Sequence, residues 1–395
     1  MTKRQTPRFR CSRFKGKHVS EYQYYEFQAL DRPLTDEEMR ELRGCSTRAR
    51  ITPTSFVNEY AWGSFKGDED TWMDKYFDAF IYQANWGTHV LKLRLSSRLL
   101  SARTAIRYCS GESLSVRTCR GHVILSFVSD DEAEGEWVEG EGHLSSLIAI
   151  RAELARGDLR ALYLGWLAAA QSGEFDEEAL EPPVPPGLSQ LNGSLQALAD
   201  FLRLDTDLLA AAAQASPGIV ESKLTATRAR AWVAKLPDSE KNALLARVLL
   251  GEQANLSAEL RRRVDIKRQP ASLRTPRNIA ELLSEGERLA TNRRQLAATK
   301  AAKERARRER EAATARDRHL SELAGTEAWL WKRVDALIAT KQAKQYDIAL
   351  QVLKDLRDLG YRDDGGTEFT RRLSALRAAH ARKPTLVARL ESAGM

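Results

Sequence analysis

The residues of this sequence best suited to chemistry are cations, and many of them lie in one stretch near residue 300. Between residues 293 and 318 the chain has ten lysines and arginines against four acidic residues. Each lysine or arginine that neutralises a phosphate releases a counterion, so such a stretch is able to bind a duplex or RNA without reading its sequence. The residues predicted to contact nucleic acid here are Arg293, Arg294, Lys300, Lys303, Arg305, Arg307, Arg308 and Arg310.

A second cluster of positive charge precedes this stretch and is also predicted to contact nucleic acid. Its members are Arg261, Arg262 and Arg263. Neither cluster belongs to a recognised base-reading motif, so the predicted contacts are to the backbone of DNA or RNA. The main stretch equally fits a solvated helix with ion pairs four residues apart, such as Glu304 and Arg308. Both interpretations remain open from the sequence.

Carboxylates in an aromatic-rich region are a second candidate for chemistry. Glu59, Asp74 and Asp78 lie among tyrosines and tryptophans. Burial in such surroundings raises the pKa of a carboxyl group, which suits a general acid or base. The same composition also describes the edge of a packed core with solvated acids, and we favour that interpretation.

Potential metal ligands are few and widely spaced. Cys109, Cys119 and His122 form the most suggestive set, but structural zinc requires four ligands at close spacing. The sequence also has no Walker-type, dinucleotide-binding or nucleophile-elbow glycine pattern. We therefore expect no metal site, no catalytic residue that the sequence can assign, and no cofactor.

The elements that must position these residues differ between the two parts of the chain. Up to about residue 142, aromatic and β-branched runs alternate with short helices, and residues 51–60 are predicted to form one strand. Two hairpins are predicted, around residues 80–95 and 113–129. The pattern predicts an α+β domain, with a ferredoxin-like topology as one possibility.

One predicted strand shows a clear alternation of apolar and charged residues. Leu91, Leu93 and Leu95 share one face, while Lys92 and Arg94 lie on the opposite face. This alternation predicts that the leucine face packs on the core.

From residue 143 onward the sequence predicts helices only, including a long basic helix over residues 278–318. Three leucines are spaced seven apart, as in a coiled coil: Leu282, Leu289 and Leu296. The next positions in phase are Lys303 and Arg310, so the apolar seam ends there. The later part of this helix is expected to project into solvent.

The predicted organisation has seven parts, and charge is distributed unevenly among them. The parts are a disordered basic arm (1–20), an α+β domain (21–142), a helical pair (143–180), a Pro-rich linker (181–187), a helical domain (188–277), the long basic helix (278–318) and a C-terminal helical unit (319–395). The arm has seven cations and no acid, whereas residues 130–142 form an acidic run.

Three blocks resemble those of an uncharacterised bacterial protein family with no assigned function. They are residues 52–60 (TPTSFVNEY), 83–87 (QANWG) and 181–187 (EPPVPPG). The resemblance spans most of the chain and implies a bacterial origin. It implies no catalytic or binding residue.

These observations predict a non-enzymatic bacterial protein of the cytoplasm that binds nucleic acid inside a larger assembly with other protein subunits. The cytoplasm is expected because the sequence has no secretory signal, no apolar run long enough for a membrane and no C-x-x-C pair. One alternative is an adaptor that engages only proteins, through the acidic run and the C-terminal helices. The other is a metal-dependent enzyme that acts on nucleic acid through the aromatic-region carboxylates.

Overall fold

The chain divides into two compact units, one ending at Asn292 and the other beginning at Arg293. The computed structural model describes residues 22–61, 63, 65–130, 142–218, 225–249, 256–257, 259–260, 263–264, 277–362 and 366–395. The predicted basic arm at 1–20 lies outside the described residues, as does most of the acidic run.

The first unit is built on an antiparallel sheet of seven strands in the part of the chain that the structure describes. They are β1 (Gln23–Gln28), β2 (Arg50–Thr52), β3 (Ser55–Tyr60), β4 (Ala79–Ala84), β5 (Thr88–Ser96), β6 (Leu114–Cys119) and β7 (His122–Asp130). Their order across the sheet is β2-β3-β1-β4-β5-β7-β6. Both predicted hairpins are confirmed, as β4 with β5 and β6 with β7.

One detail of the sheet differs from the sequence-based expectation, and one further expectation is not confirmed. The predicted single strand at residues 51–60 is a tight hairpin, because Pro53 and Thr54 turn the chain between β2 and β3. The ferredoxin-like topology is not confirmed. Every strand pair in the described sheet is antiparallel. The strands β2, β3, β1 and β4 are neighbours in that order, and β5, β7 and β6 extend the sheet beyond β4.

Helices cover both faces of this sheet. They are α1 (Asp36–Cys45), α2 (Glu69–Lys75), α3 (Ala102–Ile106), α4 (His143–Leu147), α5 (Ala149–Ala155), α6 (Arg160–Gln171), α7 (Gly193–Phe201) and α8 (Thr206–Ala213). On one face, Phe27 and Phe80 pack with Trp72 of α2 in an aromatic core. On the other, Ile81 and the predicted leucine face of β5 pack with residues of α4 to α8. The predicted burial of these leucines is confirmed: Leu91, Leu93 and Leu95.

The charged face of β5 is covered as well, by residues of α2 and the turn after it. Lys92 Nζ lies 2.7 Å from a carboxylate oxygen of Glu69 and 2.8 Å from one of Asp70. Arg94 is buried and donates through Nη2 to Asp78 at 2.8 Å. Charged residues that alternate with leucines are therefore paired inside the protein, since both faces of the sheet carry helices.

A glycine allows α6 to approach the sheet closely. A Cβ atom at Gly165 would lie 2.9 Å from Leu114 Cδ2 and 3.0 Å from Phe127 Cδ1. Those distances are shorter than ordinary van der Waals contact, and both neighbours are fully buried. The helix and the β6–β7 hairpin therefore fit together only with a glycine at this position.

We predict that Gly165→Ala destabilises the protein by about 1–3 kcal/mol, because the added methyl group overpacks this contact. The matched control is Gly193→Ala in α7, where nothing lies within 4 Å of the added Cβ. That substitution is expected to stabilise by up to about 1 kcal/mol, since alanine reduces the entropy of the unfolded chain. Urea unfolding monitored by circular dichroism measures both, and equal effects would contradict the close approach.

His89 of β5 is a buried histidine held in its neutral form. Its Nδ1–H donates to the Phe201 carbonyl oxygen at 3.2 Å, and Nη2 of Arg203 lies 3.4 Å from its Nε2. Burial first, and then the positive charge of Arg203, lower the pKa of His89 to about 4. His143 also lowers this pKa and Asp130 raises it, both to a smaller extent.

The depressed pKa of His89 makes the folded state less stable in acid. Between the unfolded pKa of about 6.5 and the folded pKa of about 4, the unfolded chain binds a proton that the folded chain does not. Stability is therefore present above the unfolded pKa and falls as the pH drops through this window. We predict that His89→Asn removes about 2 kcal/mol of the stability loss between pH 7 and pH 5. Urea titrations at the two pH values test this, and identical pH dependence in both proteins would contradict it.

The remaining described helices complete the two units. They are α9 (Ala226–Ala234), α10 (Asp238–Leu249), α11 (Ile279–Leu323), α12 (Glu327–Ala339), α13 (Ala343–Arg362), α14 (Gly366–Ala379) and α15 (Pro384–Ser392). The mostly helical C-terminal region with one long helix is confirmed. This helix, α11, has 45 residues and extends five residues beyond the predicted end. In the second unit, Leu330, Val334 and Ile338 of α12 share a core with Leu353 of α13.

Candidate nucleic-acid interface

The N-terminal end of α11 is fixed by its own cap and by burial. Asn278 Oδ1 accepts a hydrogen bond from the backbone N–H of Glu281 at 2.7 Å, and the Glu281 carboxylate accepts one from Asn278 N at 3.1 Å. This reciprocal pair satisfies two of the donors that a helix start leaves open. Ile279 and Leu282 are buried in the core of the first unit. The first turns of α11 are therefore held in place within the first unit.

In its middle, between residues 291 and 315, α11 is not covered by any described residue, whereas Leu320 near its end packs in the core of the second unit. From residue 291 to residue 315 every residue is described, and all are exposed except Glu304, which is half-buried. The exposure of the three leucines spaced seven apart increases along the helix: Leu282 is fully buried, Leu289 is half-buried, and Leu296 is 72% exposed. This stretch of 25 residues has a length of about 37 Å and is stabilised by local interactions alone.

Ion pairs one turn apart supply part of that local stabilisation. Arg305 Nε lies 2.8 Å from Glu309, while Glu304 lies 2.8 Å from Arg307 and 3.2 Å from Arg308. The arginine side chains remain 64–83% exposed in these pairs. Pairs of this kind contribute roughly 0.3–0.5 kcal/mol each. They support the helix without removing its cations from solvent.

Four of the predicted residues form a row along one face of α11. Lys300, Lys303, Arg307 and Arg310 are spaced three, four and three residues apart, which places them one above another on a helix. We call these four residues the cation row, and it is about 15 Å long. Lys300, Lys303 and Arg310 make no ion pair or side-chain hydrogen bond with any described residue. A count of basic residues does not separate the cation row from the other cations of this stretch, although the spacing that aligns the row is present in the sequence.

The other predicted contacts have different surroundings. Arg293 and Arg294 are exposed on α11. Arg263 is bound to two carboxylates, at 2.6 Å from Glu240 and 2.9 Å from Glu259. Its charge is therefore already matched. The other two members of the second cluster lie outside the described residues: Arg261 and Arg262.

The aromatic-region carboxylates are held in structural roles. Asp78 accepts hydrogen bonds from the backbone N–H groups of Leu30 and Asp31 at 2.7 and 2.9 Å, and from Arg94 at 2.8 and 3.1 Å. Burial acts to raise the pKa of Asp78, but the charges of Arg94 and Arg151 and these N–H groups outweigh it, so the pKa lies below its usual value. All acceptor positions of this carboxylate are occupied, which does not suit a general base.

The other two carboxylates differ from Asp78. Asp74 accepts a hydrogen bond from Arg117 at 2.9 Å, and Glu59 is exposed on β3.

Cys109 donates to the carbonyl oxygen of Ala105, and burial raises the pKa of its thiol to about 11. Across the described residues, no three histidine, cysteine or acidic side chains gather as metal ligands.

We predict that Asp78→Asn destabilises the protein by about 3–5 kcal/mol, because it leaves the buried Arg94 without its counter-charge. The matched control is Glu59→Gln, whose exposed side chain is expected to change stability by less than about 0.5 kcal/mol. Chemical unfolding of the two variants measures the difference. A fully stable Asp78→Asn protein would show that this carboxylate is not a structural element.

Comparison with known proteins assigns no relative to this chain. No protein-family description matches it, and neither a curated protein nor a solved structure is detectably similar. Among the described helices, none combines the length and the apolar character needed to span a bilayer. The function must therefore be inferred from the geometry of the chain itself.

Proposed function

We propose that the chain is a non-enzymatic nucleic-acid-binding subunit of a larger assembly, and that α11 holds the phosphate backbone of DNA or RNA. The observation that carries this proposal is the cation row, which lies in the exposed part of α11 between residues 291 and 315. Lysine and arginine side chains at successive turns are able to neutralise neighbouring phosphates at once. Because none of the described residues covers this part of α11, its cations are accessible to such a ligand.

The ion pairs around the cation row do not prevent this binding. Arg307 is the one member of the row that is paired with described carboxylates, those of Glu304 and Glu311 at 2.8 and 3.7 Å. Because these groups are exposed, the pairs contribute little free energy. A phosphate offers the guanidinium a stronger, bidentate partner. Binding therefore exchanges weak intrahelical pairs for stronger contacts.

The distribution of charge along the chain supports the same function. Residues 293–395 contain 23 lysines and arginines against 14 acidic residues. Residues 1–292 contain 39 and 40, so they are nearly neutral. The excess positive charge thus belongs to the second unit, where it attracts polyanions over distances near the Debye length of about 10 Å.

The two alternatives lack a comparable observation. The acidic run that would serve an adaptor lies mostly outside the described residues. The carboxylates that would serve a metal-dependent enzyme are Asp78 and Asp74, both bound to arginines, and the exposed Glu59. The cation row is accordingly the feature on which a function is proposed.

We predict that the triple variant Lys300→Gln, Lys303→Gln, Arg310→Gln weakens binding to a mixed-sequence duplex. Loss of three phosphate contacts should reduce the slope of log K against log salt by about 2–3 units. Glutamine has a helix propensity close to that of lysine and arginine, so α11 should persist. Fluorescence anisotropy between 50 and 200 mM salt measures the slope, and circular dichroism checks the helix.

The matched control removes the same charge from the first unit. It is the triple variant Arg98→Gln, Arg103→Gln, Arg107→Gln, whose side chains are exposed and unpaired among the described residues. We expect its salt slope to stay within about one unit of the unmodified protein. Equal losses in the two triple variants would mean that net charge, not the cation row, governs binding. No binding by the unmodified protein would reject the proposed function.

A further inference from the structure

A basic and aromatic surface on α12 has no structural role in the described fold. This helix buries Leu330, Val334 and Ile338, which are spaced four residues apart and so form one stripe. Trp329 lies away from that stripe and is 56% exposed. The core of the second unit therefore does not account for this tryptophan.

Trp331, two residues further along α12, differs from Trp329 because it packs against the core. Trp331 is half-buried and packs against Phe369 of α14, with ring centroids 5.9 Å apart. Arg372 lies 5.8 Å from the centre of the same ring. Residues two apart on a helix point in directions about 200° apart, so one of these two tryptophans faces the core and the other faces solvent. Trp331 has a packing role and Trp329 does not.

Two cations accompany Trp329 on the solvent face. The guanidinium carbon of Arg333 lies 5.4 Å from the centre of the indole ring, which is cation–π distance. Lys332 is exposed one turn from Trp329 on the other side, and the next residues on this face are small, Ala336 and Thr340. The indole therefore stands beside two positive charges, and the described residues that follow it on this face of α12 are small. We call Trp329, Lys332 and Arg333 the α12 patch.

The charge of the α12 patch favours an anionic partner. Two acidic residues flank the α12 patch in sequence, Glu327 and Asp335, and they lie about 160° and 120° from Trp329 around the helix. Glu327 accepts a hydrogen bond from Gly325 N at 2.9 Å, and the charge of Asp335 acts on His380. The exposed face thus has two positive charges and an aromatic surface. Aromatic side chains beside lysine and arginine are the combination on which unpaired nucleobases stack while their phosphates are neutralised.

We infer that the α12 patch binds single-stranded nucleic acid, with a base stacked on Trp329 and the flanking phosphates held by Lys332 and Arg333. This inference rests on the proposed function, and it names the substrate class. Bases inside a duplex are stacked on one another and cannot reach the indole, whereas those of a single strand can. The cation row contacts phosphates of either form, and the α12 patch adds affinity for unpaired bases.

The test compares two probes on the full-length chain. One is a labelled 20-nucleotide mixed-sequence single strand without self-complementarity, and the other is the blunt-ended duplex of that strand with its complement. Trp329→Ala should weaken single-strand binding roughly tenfold and change duplex binding less than twofold, because only the single strand stacks. Trp329→Phe retains an aromatic ring and should recover most of the affinity.

The matched control is Trp86→Ala, which removes a 38% exposed tryptophan from the β4–β5 turn of the first unit. It should leave both affinities unchanged. Unchanged single-strand binding by Trp329→Ala would overturn the inference and assign the α12 patch to a protein contact or to plain surface, while the proposed function would stand. Equal losses for both probes would also overturn it. No binding of either probe by the unmodified protein would instead reject the proposed function itself.

Discussion

An ion pair between the buried Glu181 and the half-buried Arg277 fixes the point at which the long helix begins. The arginine donates to both carboxylate oxygens, at 2.9 and 3.0 Å, and the two backbones are joined by a hydrogen bond from Glu181 N to Arg277 O at 2.9 Å. The Tyr163 hydroxyl of α6 donates to the same carboxylate, and burial first, then the charge of Glu181, raise the pKa of that tyrosine. Loss of one partner in such a pair costs about 3–5 kcal/mol, because a charge remains buried and unpaired. The proline-rich segment, α6 and the start of α11 are therefore held as one body.

From that anchor, the character of α11 follows the end of its apolar pattern. Leu282 packs in the core, but Leu296 is 72% exposed, and no apolar residue larger than alanine follows until Leu320, which packs in the core of the second unit. A helix without burial must be stabilised by residue propensity and by pairs one turn apart, which explains its alanine, glutamate, lysine and arginine content. Those requirements would be met by any balanced mixture of charges. The excess of cations, and their alignment from Lys300 to Arg310, exceed what helix formation needs, and we propose a polyanionic ligand as their explanation.

Sequence patterns predicted the sheet better than they predicted what covers it. The alternation of leucines in β5 identified the strand and its apolar face, because side chains in a strand point to opposite sides in turn. It could not show that Lys92 and Arg94 on the other face are covered, since a charged residue has the same appearance in sequence whether solvated or paired. Their partners Glu69 and Asp78 lie 23 and 16 residues away in the chain. Pro53 is a turn-forming residue, but the sequence on either side of it has strand character, so one strand was predicted where the structure has a hairpin.

In the candidate site, too, the sequence does not show which charged residues are paired and which are exposed to solvent. Counting residues located the basic stretch, yet a count treats Arg263, which is bound to two carboxylates, like Lys303, which has no partner among the described residues. Helical spacing separates the members of the cation row from their neighbours, because positions three and four apart share a face. Spacing alone does not say which face is covered: Trp329 and Trp331 have equal hydrophobicity, and only the position of the core decides that the first meets solvent. Available charge and available aromatic surface are therefore properties of the folded chain, and the second unit presents both.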